Sequence, residues 1–297
     1  MRIHFTKMHG CANDYIYVNC LDGIPFEPGR LSALMSPRHF SVGADGLVLI
    51  CRSETADAKM RMFNLDGSEG KMCGNAIRCV GKYLYDNGLT DKTELDIETL
   101  SGIKHLSLSV TEGKASLVTV DMGYAVLRAA EIPVVSESET VIGSPLSVCG
   151  TEYRITCVSM GNPHAVTFVP DTDTLDLEKI GPVFEHHPMF PERVNTEFIE
   201  ILDRSNLKMR VWERGSGETW ACAAVTAAVV NGYCDAEKPV TVHLIGGRLT
   251  ITVSKDFRVR MTGGATKVYE GVYEYENQTE GYPLSFGSET EKLYRIN

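Results

Sequence analysis

The chain has no Cys-x-x-Cys pair and no run of about 18 apolar residues long enough to span a bilayer. The first absence removes the usual signature of a structural zinc site and of a dithiol redox motif. The second removes a membrane span. Positive charge is also scarce: 29 Lys and Arg stand against 39 Asp and Glu, a net charge of −10. That is the wrong sign for a protein that grips a phosphate backbone, so nucleic acid is excluded as a partner, and it suits a small polar ligand. The opening Met1-Arg2-Ile3-His4-Phe5 lacks the apolar stretch of a signal peptide. The nine cysteines are odd in number and widely scattered. The expectation is a cytoplasmic protein with free thiols, no membrane contact and no metal.

The 297 residues are 43% hydrophobic and 23% charged, enough for two ordinary domains or one large one. Leu47-Val48-Leu49-Ile50 and Lys59 to Asn64 read as strands. A helix follows from near Cys73, with Ala76, Ile77, Val80 and Leu84 on its apolar face and Gly88 as its stop. Thr196 to Leu202 and Met209 to Trp212 repeat the strand pattern, and a second helix runs from about Cys222 to Val230.

These two passages match at an offset of 149 residues. Lys59-Met60-Arg61 meets Lys208-Met209-Arg210, Glu69 meets Glu218, Cys73 meets Cys222, and Asn13 meets Asn162. A triplet followed at equal distance by Glu and Cys points to an internal duplication. The fold expected is α+β, in two pseudo-symmetric halves. Their expected limits are residues 1–123 and 124–268, with 269–297 returning to the first.

In each half a turn rich in Gly and Glu leads to a cysteine at a helix start. The first amides of a helix have no internal partner and carry the positive end of its dipole. A carboxylate binds there, and a thiol there has a lowered pKa. Two such starts facing one another hold one α-carboxylate and place a sulfur on each face of a Cα. One sulfur removes the proton and the other returns one from the opposite side. That is inversion without a cofactor. For the other seven cysteines the expectation is ordinary burial.

At these residues the sequence resembles the diaminopimelate epimerase family. The likeness extends from Lys7-Met8-His9-Gly10 to Met261-Thr262-Gly263. Its signatures include Asn13-Asp14, Gly43-Ala44-Asp45-Gly46, Asp66-Gly67-Ser68-Glu69, Met72-Cys73-Gly74-Asn75, Gly161-Asn162-Pro163-His164, Glu213-Arg214-Gly215 and Ala221-Cys222. The resemblance implies a barrel-like sheet around a principal helix in each half, with the active site in the cleft between them. It implies that Cys73 and Cys222 are the acid and base that convert LL-2,6-diaminopimelate to the meso isomer, without pyridoxal phosphate or other cofactor. By likeness the backbone amides of Gly74, Asn75, Ala223 and Ala224 hold the reacting carboxylate, and Asn13 and Glu213 lie near the reacting amino group. Asn64, Asn162, Asn195 and Arg214 form the distal end, where Arg214 can fork onto a second carboxylate.

The sequence departs from the family at Ala223 and Ala224, where Gly and then Ser or Thr are usual. It also departs at Cys11-Ala12, where Leu-Gly is favoured, and at Gly46, where some members carry a larger polar side chain. A racemase of the same fold acting on histidine or a proline derivative, and a thiol redox or binding protein, are the competing readings. A homodimer is compatible with all of them.

Overall fold

The computed structural model describes residues 1–213 and 220–275. The first half runs β1 (Arg2–Gly10), β2 (Asn13–Cys20), α1 (Pro28–Met35), β3 (Gly46–Cys51), β4 (Ala58–Asn64), β5 (Glu69–Gly70), α2 (Gly74–Asp86), β6 (Glu94–Thr99), β7 (Gly102–Thr111) and β8 (Lys114–Tyr124). The second runs β9 (Ser144–Val148), β10 (Thr151–Ser159), β11 (Pro163–Phe168), α3 (Leu177–Glu185), β12 (Asn195–Asp203), β13 (Asn206–Trp212), α4 (Trp220–Val230), β14 (Val240–Leu244), β15 (Gly247–Val253), β16 (Arg258–Gly263) and β17 (Thr266–Glu274).

The duplication appears in the strand directions. β1 and β2 are antiparallel, β2 and β3 parallel, β3 and β4 antiparallel, and β4 and β6 parallel; β7 and β8 follow antiparallel. From β10 to β16 the same series recurs: antiparallel, parallel, antiparallel, parallel, then two antiparallel pairs. Parallel neighbours need a long crossover. α2 lies in the β4–β6 crossover and α4 in the β13–β14 crossover, so each principal helix is folded back onto its own curved sheet. The halves join where β8 and β16 pair antiparallel. β17 then pairs with β1, as β9 pairs with β10. The last described strand thus lies beside β1 of the first half and starts at Thr266, and residues 276–297 of the expected return lie outside the described residues.

Local sequence explains the two principal helices. α2 carries a buried stripe of Ala76, Ile77, Val80 and Leu84. In α4, every residue from Ala221 to Val225, together with Ala227 and Ala228, is a buried apolar side chain. A helix apolar on all sides is enclosed on all sides. Its many alanines let the surrounding strands approach closely. Its one polar member, Thr226, is satisfied within the helix, donating from Oγ1 to the Cys222 carbonyl at 2.8 Å. One apolar core contains residues of both helices, including Cys73 and Cys222. Smaller cores lie beneath α3 and α1.

Two features differ from the sequence expectation: helices α1 and α3 were not foreseen. α1 starts with Pro28 behind a Glu27 cap, and α3 contains Pro182 in its interior, so both carried a proline that masked the helical pattern. Among the described residues no helix is long and apolar enough to cross a membrane.

Candidate active site

Cys73 is the N-cap of α2, with extended backbone at φ −136 and ψ 118. Its Sγ accepts from the Ala76 amide at 3.0 Å and lies 3.7 Å from Asn13 Oδ1. Asn13 opens β2 and donates from Nδ2 to Asp45 Oδ2 at 2.9 Å, which holds its carboxamide over the cysteine. Gly74, the first helical residue, has no room for a side chain: a Cβ there would lie 2.6 Å from the Met261 Cε of β16. Asn75 is buried, and its Oδ1 accepts from Arg78 Nη2 at 2.6 Å.

Cys222 is fully enclosed and is the third residue of α4. Ala223 and Ala224 follow as the fourth and fifth residues, both fully buried. Burial pushes the Cys222 thiol up to about 12, with the Arg78 charge pulling the other way. This is the reverse of the lowering expected for a thiol at a helix start. Complete loss of water around the sulfur outweighs the dipole.

Between the halves lies a cleft of about 1200 Å³. Asn13, Asn75 and Cys11 line it from the first half, and Glu213, Ala221 and Arg210 from the second. The cysteines thus lie directly behind its wall: Asn13 touches Cys73, and Ala221 adjoins Cys222. The unforeseen α3 forms the outer side. There Trp212 donates from Nε1 to Glu185 Oε2 at 2.9 Å, and Arg210 donates from Nη1 to the Thr172 and Leu175 carbonyls at 3.0 and 2.9 Å.

The distal residues fall into three groups. Asn162, in the turn before β11, has Oδ1 2.9 Å from His164 Nε2. His164 Nδ1 lies 2.6 Å from Glu197 Oε1, both residues fully buried, and Asn195 is the register partner of His164 on β12. Burial raises the Glu197 carboxyl, opposed by His164, and its Oε2 has no hydrogen-bond partner. Asn64 stands apart at the end of β4, donating to Ser68 Oγ at 2.9 Å. Arg214 lies outside the described residues.

The departures from the family pattern also have structural settings. Cys11 and Ala12 form the β1–β2 turn with φ of 53 and 67, the left-handed conformation that a two-residue hairpin demands of both positions. At Gly46 a Cβ would collide with the Phe63 carbonyl oxygen, so a larger residue requires β3 and β4 to shift. Sequence reasoning missed Arg78, Glu197 and the α3 wall. The signal at Arg78 was a charge set between the apolar Ile77 and Cys79. Among the described residues no group of three or more His, Cys, Asp or Glu side chains is placed to hold a metal ion.

The chain matches the sequence pattern of the family described as diaminopimelate epimerase over residues 5–128 and 156–268. It is 55% identical over 275 residues to the diaminopimelate epimerase of Acetivibrio thermocellus, covering 91% of this chain and 98% of that protein. It is 53% identical over 273 residues to that of Methanococcus maripaludis, covering 90% and 98%. Among solved structures, a PhzF-family phenazine biosynthesis protein of Bacillus anthracis superposes with a TM-score of 0.67 at 19% identity, over 93% of this chain and 100% of that one. A hydroxyproline epimerase of Agrobacterium vitis does so with a TM-score of 0.66 at 14% identity, over 91% and 92%. These two share the fold. The pattern match over both halves and the identities above half of all positions establish more than a fold: the chain belongs to the diaminopimelate epimerase family.

Proposed function

We propose that the protein converts LL-2,6-diaminopimelate to the meso isomer by proton transfer between two cysteines. The observation that carries this reading is the duplicated pair itself: Cys73 and Cys222, one on each principal helix, in one buried core behind one cleft. In the forward step a Cys73 or Cys222 thiolate takes the proton of the reacting Cα. The C–H electron pair moves onto the carboxylate, and the opposite thiol delivers its proton to the other face. One proton is taken and one given, so the pair ends with its protonation reversed. Burial favours Cys222 as the sulfur that rests protonated.

The carboxylate of the reacting centre lies against the starts of α2 and α4, at the amides of Gly74 and Asn75 on one side and of Ala223 and Ala224 on the other. Asn13 and Glu213 face the reacting amino group. Asn64, Asn162, Asn195 and Arg214 take the distal end. A ligand lacking that end makes none of these contacts and forfeits the selectivity they supply. The halves, residues 1–123 and 124–268, close over the ligand as two jaws, and the enzyme works in the cytoplasm.

The test is turnover of LL-diaminopimelate in deuterated water by the wild type, Cys73→Ala and Cys222→Ala. Wild type should invert the centre and introduce solvent deuterium at Cα, and each variant should lose inversion by roughly 10²–10⁴-fold. Inert diaminopimelate beside turnover of a monocarboxylic amino acid would refute the substrate assignment.

A further inference from the structure

Among the described residues, Arg78 is a buried cation without a buried anion. Its side chain has no exposure to solvent. Nε donates to the Gly264 carbonyl at 3.4 Å, and Nη1 to the Gly74 carbonyl at 3.2 Å and Met261 Sδ at 3.5 Å. Nη2 donates to Asn75 Oδ1 at 2.6 Å and Cys11 Sγ at 3.8 Å. All five acceptors are neutral, two are weak sulfur acceptors, and no carboxylate among the described residues lies within ion-pair distance. Removing a guanidinium from water is costly, and contacts of this kind recover the cost poorly.

The guanidinium is also caged. A Cβ at Gly10 would lie 2.8 Å from Nη2, and one at Gly263 would lie 3.1 Å from Nε. Its acceptors come from the first turn of α2, from the strained turn at Cys11, and from the end of β16. It therefore fastens the Cys73 helix start to the last strand of the second half. Because Nη2 takes Asn75 Oδ1, the Nδ2 end of Asn75 is the one left for the cleft that this residue lines. On the far side the charge reaches Cys222, where it opposes the effect of burial.

We infer that Arg78 is a positioning residue of the epimerase site: it fixes Gly74 and Asn75 at the carboxylate-binding end of α2, and its unmatched charge awaits the carboxylate that substrate brings. This rests on the reading of the α2 start as a carboxylate site. Energetically, the apoprotein stores an uncompensated positive charge that an anionic ligand relieves, so binding and charge matching occur together.

The experiment compares wild type, Arg78→Lys and Arg78→Gln by KM and kcat with LL-diaminopimelate. It also follows iodoacetamide labelling of Cys222 in ligand-free protein at fixed pH, with exposed Cys149 as internal reference. Arg78→Gln removes the charge. It should raise KM at least tenfold and slow Cys222 labelling, since the Arg78 charge opposes the effect of burial on that thiol. Arg78→Lys keeps the charge and loses the fork. It should leave labelling within about threefold of wild type while KM still rises. Faster or unchanged Cys222 labelling in Arg78→Gln, or unchanged KM in both variants, overturns the inference. If Arg78→Gln does not fold, the lysine variant decides alone: labelling slowed tenfold, or an unaltered KM, refutes it. Failure of the wild type to turn over diaminopimelate would sink the substrate reading, and the labelling comparison would still test the charge at Arg78.

Discussion

Cys222 should be almost unreactive toward alkylating agents in the ligand-free protein. Only the thiolate attacks, so the rate follows its fraction. With the thiol held at about 12 by burial, the thiolate fraction at pH 8 is roughly 10⁻⁴. A thiol at the reference value of about 8.5 has a fraction of roughly a quarter at that pH, so Cys222 should react about 2,000-fold more slowly. Each pH unit from 8 to 11 should speed its reaction about tenfold, because the fraction of thiolate rises in proportion to hydroxide. The assay is a time course of iodoacetamide labelling read peptide by peptide by mass spectrometry, with Cys149 in the same sample as the exposed reference. A Cys222 rate at pH 8 within tenfold of that of Cys149, or a rate independent of pH, would refute the reasoning. Either result would mean that the sulfur meets water far more often than its enclosure in α4 allows.

The same thiol makes stability depend on pH. Its folded value lies above the unfolded value of about 8.5, so its contribution is complete below about pH 8.5 and is lost as pH rises toward 12. The slope should be about 1.4 kcal/mol per pH unit in that window, and urea midpoints of Cys222→Ala between pH 8 and 11 should fall less steeply than those of wild type. Ala12→Gly should stabilise the protein by about 1 kcal/mol, because Ala12 sits at φ 67 and the matching turn of the second half has Gly161 there at φ 100; a lower melting temperature would contradict this. Glu197→Ala leaves His164 buried without its carboxylate partner and should cost about 3–5 kcal/mol in urea unfolding, and a cost under 1 kcal/mol would show that the pair is not ionic.

The cysteines were legible because duplication writes the same feature twice. An offset of 149 residues that returns Lys-Met-Arg, Glu and Cys in order also fixes which strands correspond. β3, β4, β12 and β13 were visible as apolar runs between turns. Other features depend on three-dimensional enclosure, which no local pattern records. A helix start suggested an acidic thiol at Cys222, yet the sheet closing around an alanine-rich helix decided the sign. Arg78 drew no reading from the sequence, because only the folded chain brings Gly74, Asn75, Cys11 and Met261 around it. The α3 wall was hidden by Pro182, which a sequence pattern treats as a break.

The pairing of β17 with β1 carries a consequence for synthesis. β1 ends at Gly10, and its outer neighbour does not begin until Thr266. At roughly 5–20 residues per second, translation leaves that edge bare for about 13 to 50 seconds. Throughout that interval β1 offers its unpaired amides and carbonyls to any extended chain nearby. The first half is thus made first and finished last, and its exposed margin is where nascent molecules on crowded ribosomes are most apt to misassociate.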